Sequence, residues 1–224
     1  MVPVHHAIAH IEIAAQMTGA SDPLVVLVSG GHTTITAFAG GRWRIFGETE
    51  DITLGNLLDM FAREVPLPTP GGPEVERLAS RGGNFMDLPY VVKGNDVSYS
   101  GLFTAAKRLL RSNVALEDIC YSLQEVAFAM LSEATERALA HTEKGELLLT
   151  GGVAANSRLR EMLRLVAEDH EARLLVVPRE FAGDCGAQIA WTGLLAFPAG
   201  VEVEVSKSFV KPRWRLDSVD IPWR

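Results

Sequence analysis

Val25-Val26-Leu27-Val28-Ser29-Gly30-Gly31-His32-Thr33 and Leu147-Leu148-Leu149-Thr150-Gly151-Gly152-Val153-Ala154-Ala155-Asn156 share one pattern, an apolar run that stops on a pair of glycines. The second opens into Ser157-Arg158-Leu159-Arg160-Glu161-Met162, which reads as the start of a helix. Short apolar runs bounded by turn residues mark buried strands. Glycines straight after such a strand let the backbone bend sharply and come close to a ligand. Main-chain N–H groups freed at the turn, or at the start of the next helix, can hold phosphate. One Gly-Gly turn is usually only a tight loop. Two of them, more than a hundred residues apart, suggest a nucleotide gripped from two sides.

Around these turns the pattern predicts a short helix at 6–16, then strands at 24–29, 33–38 and 42–47, the last two joined at Gly40-Gly41. A helix at 54–65 leads to a Pro/Gly-rich loop from Pro66 to Pro73 and a short helix to Ser80. Residues 81–100 read as irregular, and 101–112 as helix. The strongest helix covers 116–143, where Ile119, Leu123, Val126, Met130, Leu131, Ala134 and Ala138 recur at helical spacing and Gly145 marks the end. Strand 146–150, helix 155–168, strand 173–177 and helix 184–197 follow, then an irregular tail from Gly200. A three-strand meander followed by alternating helices and parallel strands is the order of the ribonuclease-H-like α/β unit. That unit is half of the superfold shared by actin, sugar kinases and heat-shock chaperones (ASKHA). The organisation expected is a linking helix at 1–21, a ribonuclease-H-like lobe at 22–200 with a helical insertion at 54–143, and a basic tail at 201–224.

The 224 residues are 47% hydrophobic and 22% charged, ordinary for a globular protein. No apolar run approaches bilayer length, and no signal-peptide pattern opens the chain, so no membrane partner is expected. The two cysteines, Cys120 and Cys185, form no Cys-x-x-Cys pair and suit a reducing cytoplasm. A net charge of −7 excludes coating of nucleic acid by bulk charge. Local basic clusters remain at Lys107, Arg108 and Arg111 and at Lys207, Lys211, Arg213 and Arg215, which read first as solvated faces.

His6 and His10 stand four residues apart, so on a helix they share a face and can share a metal. Residue 7 is alanine where a zinc peptidase needs its glutamate. The plain alternative is two surface histidines on an amphipathic helix. Asp184 is the candidate third ligand, although an aspartate before a helix is commonly an N-cap. Asp59 and Glu76 flank the Pro70-Gly71-Gly72-Pro73 turn, where carboxylates can accept from ribose hydroxyls.

Taken together, these residues resemble a known family. The run His6 to Ile13, Ser29-Gly30-Gly31, Gly47-Glu48-Thr49, Asp59 to Glu64, Pro70 to Pro73, Ser98-Tyr99-Ser100-Gly101-Leu102, Gly151 to Asn156, Gly186-Ala187 with Ile189-Ala190, and Lys211-Pro212-Arg213-Trp214-Arg215 all carry the likeness. The chain resembles the TsaD/Gcp family in its archaeal–eukaryotic form, the catalytic subunit of the KEOPS complex. The resemblance implies transfer of a threonylcarbamoyl group from threonylcarbamoyl-AMP to the tRNA adenosine 3′ of the anticodon. It implies one divalent metal, iron or zinc, on His6, His10 and Asp184. It implies adenylate binding by Ser29, Gly30, Gly31, Asp59, Gly72, Glu76 and Asn156. It implies tRNA and KEOPS-type subunits as partners, an atypical protein kinase among them. The family's N-terminal domain, the other wall of the cleft, is expected to be missing from this chain, which leaves a non-catalytic partner-binding lobe as the alternative function. Leu27, His32 and Cys185 depart from the tyrosine and asparagines of archaeal members, positions that bear on metal preference and phosphate geometry.

Overall fold

All five residues of β1 (Leu24–Val28) are buried, and so are the last four of β6 (Glu146–Thr150). Strands this apolar need cover on both faces. In the computed structural model, which describes residues 1–224, the two pair in parallel with Leu27 opposite Thr150. β2 (Thr33–Ala39) and β3 (Arg42–Glu48) extend the sheet antiparallel on one side. β7 (Arg173–Val176) extends it in parallel on the other, giving the order β3-β2-β1-β6-β7. This is the expected ribonuclease-H-like unit. One face is covered by α1 (His6–Thr18), on which α8 (Gly186–Ala196) packs, and the other by α5 (Leu116–Thr142) with α6 (Ser157–Asp169).

Between β3 and β6 lie α2 (Leu54–Glu64), α3 (Gly71–Ala79), α4 (Ser100–Leu109) and α5. They share one apolar core with the sheet, with α1 and with Leu216, Val219 and Ile221 of the tail. α1 is not the amphipathic surface helix of the plain reading. Residues 7–15 are all buried, His10 and Glu12 included. Glu12 is matched there by the guanidinium of Arg224.

Five expectations need correction. Residues 81–100 are not wholly irregular, since β4 (Val92–Lys93) and β5 (Asp96–Val97) form a small hairpin. It docks on β3 where Gly47 leaves room, and a Cβ at Gly47 would stand 2.2 Å from the Asn95 oxygen. The Pro66–Pro73 loop ends sooner than expected, because Gly71, Gly72 and Pro73 form the first turn of α3. α5 ends on Glu143, held left-handed at φ 51°, and not on Gly145. The helix expected at 155–168 is preceded by a separate 3-10 turn at Gly152–Ala155, and the one at 184–197 by α7 (Arg179–Ala182). The shift at α6 is a capping effect: the Asn156 side chain accepts from the N–H groups of Arg158 and Leu159.

The tail is less basic in practice than in composition. Lys207, Arg215 and Arg224 are ion-paired, and Lys211 lies over the Trp214 ring at 5.0 Å. Asp51 was not singled out from sequence, yet it organises the Ser98-Tyr99-Ser100 motif. Its carboxylate accepts from the N–H groups of Ile52, Tyr99 and Ser100 and from the hydroxyls of Ser98 and Ser100. Burial raises its pKa, but these bonds outweigh that and hold it well below the usual carboxylate range.

Two outcomes follow from these contacts. Gly151 sits at φ 96°, and a Cβ there would stand 2.2 Å from the Val28 oxygen. Gly151→Ala is expected to cost about 3 kcal/mol, read from denaturant midpoints at constant slope. Because the folded pKa of Asp51 is depressed, its contribution is present above the unfolded value near about 4 and is lost as pH falls through the folded one. Asp51→Asn should therefore lower stability by about 2 kcal/mol at pH 7, with the gap to the parent chain closing in acid. A gap independent of pH would contradict that assignment.

Candidate functional site

The parallel register of β1 and β6 sets both glycine turns side by side at the carboxyl ends of adjacent strands. β1 is the point where the sheet changes direction, parallel to β6 but antiparallel to β2. Open α/β sheets place their ligands in the crevice outside the carboxyl ends of their strands. A cavity of about 210 Å³ opens there, lined by Gly30, Gly55, Leu58, Asp59, Pro70, Gly72, Pro73, Glu76 and, from the second turn, Gly152, Val153, Ala155 and Asn156. Five of the seven residues expected to hold adenylate are among them: Gly30, Asp59, Gly72, Glu76 and Asn156. Ser29 and Gly31 are not.

Their side chains are differently employed. One oxygen of Asp59 accepts from the Gly71 N–H at 2.7 Å, an otherwise unpaired donor at the start of α3. One oxygen of Glu76 accepts from the Ser157 N–H and hydroxyl at 2.8 and 2.5 Å. Each carboxylate keeps its second oxygen free of protein partners. Asn156 is engaged at both ends, since its oxygen caps α6 and its amide donates to Gln124 at 2.9 Å. It shapes the cavity wall. Gln124 was not foreseen, because it lies within the helical stripe of α5, which carries no separate signal.

The first glycine turn is tighter than expected. The Ser29 hydroxyl accepts from the N–H groups of Gly31 and His32 at 3.2 and 3.0 Å, so only the Gly30 N–H is free of a protein partner. A Cβ at Gly30, Gly31 or Gly152 would meet no other protein atom within 4 Å. None of the three has positive φ. Neither packing nor backbone strain asks for glycine there, and the open space leaves the backbone accessible at these positions.

His32 carries the turn onward to a cluster of imidazoles. Its ring lies 6.2 Å from that of His6, and His6 lies 4.8 Å from His10. Consecutive Cα atoms are about 3.8 Å apart, so the Cα of His32 is within about 8 Å of that of Gly30, while the His6 and His32 side chains line a separate cavity between the first residues of the chain and its tail. Asp184 reaches the same point from the other end of the chain. Its Oδ1 is 3.3 Å from Nε2 of His6 and 3.1 Å from Nε2 of His10. It caps nothing, since the residue before α8 is Cys185 and no side chain caps that helix.

These three residues fit a metal ion by geometry. Their ligand atoms all lie within 4.8 Å of one another. Bonds of about 2.0–2.2 Å to nitrogen and oxygen put neighbouring donors of a tetrahedral site about 3.4 Å apart. Burial, and next the positive charge of His6, lower the pKa of His10 against the pull of Asp184. Burial lowers His5 and His32 as well. Neutral imidazole is the form that ligates metal.

Comparison with known proteins names the family. Residues 1–191 match the family model TsaD, described as tRNA N6-adenosine threonylcarbamoyltransferase. The chain belongs to the TsaD family. A protein of that name from Thermofilum pendens is 59% identical over the whole of this chain, which covers 67% of the relative. One from Caldivirga maquilingensis is 55% identical, with the same coverage. A probable bifunctional tRNA threonylcarbamoyladenosine biosynthesis protein from Methanocaldococcus jannaschii is 53% identical, and this chain covers 42% of it. Membership makes this TsaD-family chain a threonylcarbamoyl transferase acting on tRNA. Among solved structures, HypF of T. kodakarensis superposes on 86% of the chain with a TM-score of 0.68 at 16% identity, and the chain covers 36% of it. The activator of 2-hydroxyisocaproyl-CoA dehydratase from Clostridium difficile, with bound ADPNP, superposes on 88% with a TM-score of 0.55 at 10% identity, and the chain covers 70% of it. These likenesses establish the ASKHA fold. No helix is long and apolar enough to cross a membrane.

The cavity and the turn can be separated experimentally. Gly30→Ala meets no protein atom, so the thermal midpoint should stay within about 2 °C of the parent chain. Its AMP affinity, measured by calorimetry, should fall at least about tenfold, or 1.4 kcal/mol. Unchanged affinity would remove the turn from the site.

Proposed function

We propose that the transfer draws on threonylcarbamoyl-AMP held across the cavity and the histidine cluster. The observation that carries this is continuity. The turn that contributes Gly30 to the cavity ends on His32, beside His6. At about 210 Å³ the cavity is smaller than the usual ligand cleft of about 300–1,000 Å³, so it takes the nucleoside and leaves the phosphate to the turn. The free oxygens of Asp59 and Glu76 accept from the ribose hydroxyls. Gly30 donates its N–H to the phosphate, and the absent Cβ at Gly30 and Gly152 lets the ligand sit against the backbone.

His6, His10 and Asp184 hold one divalent ion, iron or zinc. Bound there, it supplies a Lewis acid for a phosphoryl or carbonyl oxygen. Three protein ligands leave positions open for such an oxygen. Buried His10 fixes one ligand rigidly on α1. Asp184, with its side chain 77% exposed, closes the set from the solvent side. The acceptor is an aromatic amine, a weak nucleophile, so catalysis rests on positioning and on stabilising charge at the carbonyl and departing AMP.

Approach of tRNA falls to cations free of carboxylate partners, Arg108 and Arg111 on the insertion and Arg213 on the tail, together with KEOPS-type subunits that include an atypical kinase. The cytoplasm is the compartment that fits this substrate. A second reading, a lobe that binds partners without catalysing, is favoured by one observation. Leu194, Phe197, Val205, Phe209 and Val210 are exposed apolar side chains, all C-terminal to Asp184. Exposed apolar surface of this kind marks protein contacts.

Reconstitution with threonylcarbamoyl-AMP, tRNA and partner subunits tests the two readings together. Catalysis predicts modified adenosine that is lost by at least about 100-fold, or 2.7 kcal/mol, in His10→Ala and Asp184→Ala, along with bound metal by elemental analysis. Partner binding with neither AMP affinity nor product would favour the second reading.

A further inference from the structure

The histidine pair stands on α1, and two contacts from the far end of the chain hold that helix on either side of it. At its start, Nε2 of His5 lies 2.8 Å from the carbonyl oxygen of Trp214. A carbonyl only accepts, so this nitrogen carries the hydrogen and donates it. The two rings also meet edge to face, 5.3 Å apart. Further along, the carboxylate of Glu12 accepts two bonds from Arg224, at 2.9 and 3.0 Å. That pair is withdrawn from water, with side chains 5% and 16% exposed. The guanidinium lies 4.8 Å from the centre of the Trp43 ring and 5.6 Å from that of Phe38. Between these contacts the segment is seated on the sheet by buried Leu216, Val219 and Ile221, by the Ile221 N–H on the Gly41 oxygen, and by Arg42 on Asp220.

α1 needs outside support. Its first turn, which carries His6, has no side-chain cap and no acidic residue. Helix starts without either are weakly held by their own sequence. A metal site tolerates displacements of only a few tenths of an ångström. Support on both sides of His6 and His10 therefore bears on whether their nitrogens meet one ion.

We propose that residues 213–224 form a strap that sets the geometry of the His6–His10 pair, with His5, Glu12 and Arg224 as positioning residues. The proposal rests on the metal reading above. Metal affinity then depends on a docked strap, and by linkage a bound ion strengthens docking by the same factor.

Cobalt(II), titrated by its visible absorbance, is the probe. The variants are His5→Ala, Arg224→Lys, and the double variant Glu12→Gln/Arg224→Gln, which removes both buried charges together and so avoids a stranded carboxylate. AMP affinity and the thermal midpoint serve as controls, and hydrogen exchange reports on the α1 amides. The double variant should lose cobalt affinity by about 10–100-fold, with AMP affinity within about twofold of the parent chain and faster exchange in α1. Arg224→Lys keeps the charge without the fork and should fall between. Parent-like cobalt affinity in a variant whose strap amides exchange freely overturns the proposal. Joint loss of cobalt and AMP binding with a collapsed thermal transition overturns it too, because the tail would then hold the whole core and not the pair. Should the parent chain bind no cobalt, the metal reading falls separately. The strap is then judged on α1 exchange alone, where acceleration sustains it and an unchanged rate overturns it.

Discussion

The parallel pairing of β1 with β6 is the constraint on which the rest depends. It joins residues 24–27 to residues 147–150, across the whole helical insertion. Because both strands run the same way, their glycine turns leave the sheet at the same edge. The cavity is a consequence. One wall comes from the first turn, one from the second, and the third from α2 and the start of α3, which the insertion folds across the opening.

The two halves of the site are built differently. On the cavity side, polar side chains are spent on the protein itself. Asn156 caps a helix, Ser157 pins Glu76, and the Gly71 N–H pins Asp59. Each carboxylate is fixed through one oxygen and open at the other, which gives a placed acceptor at little cost in side-chain freedom on binding. On the histidine side the fixing is by burial. His10 is inaccessible on a helix packed into the core, His6 is half-exposed, and Asp184 arrives on the loop before α8. One turn, Ser29 to His32, connects the two.

Much of this was legible in the sequence. Apolar runs ending on glycine located β1 and β6, alternation and Gly40-Gly41 located the meander, and the 3.6-residue stripe located α5 to within one residue. His-x-x-x-His on a helix and Asp184 before another could be singled out because few residue types ligate metals, and the fold brings the three together. Less legible were features whose cause lies far away in the chain. The hairpin at 92–97 exists because Gly47 on β3 leaves space for Asn95. Asp51 matters because Ser98, Tyr99 and Ser100 fold back onto it. The exact start of α6 was set by the Asn156 cap, which competed with the apolar periodicity that suggested an earlier one.

The sequence by itself determined the order of elements, the residue types at the site and the family, because strand and helix periods, turn glycines and ligand chemistry are local or compositional properties. Tertiary structure alone decided which residues converge. It turned Asp184 from a helix cap into a neighbour of two imidazoles 174 or more positions away. It made Asn156 part of a wall and Gly30 an open approach, and it drew Arg224 onto buried Glu12. Those outcomes depend on packing and desolvation between distant segments, and no window of neighbouring residues contains them.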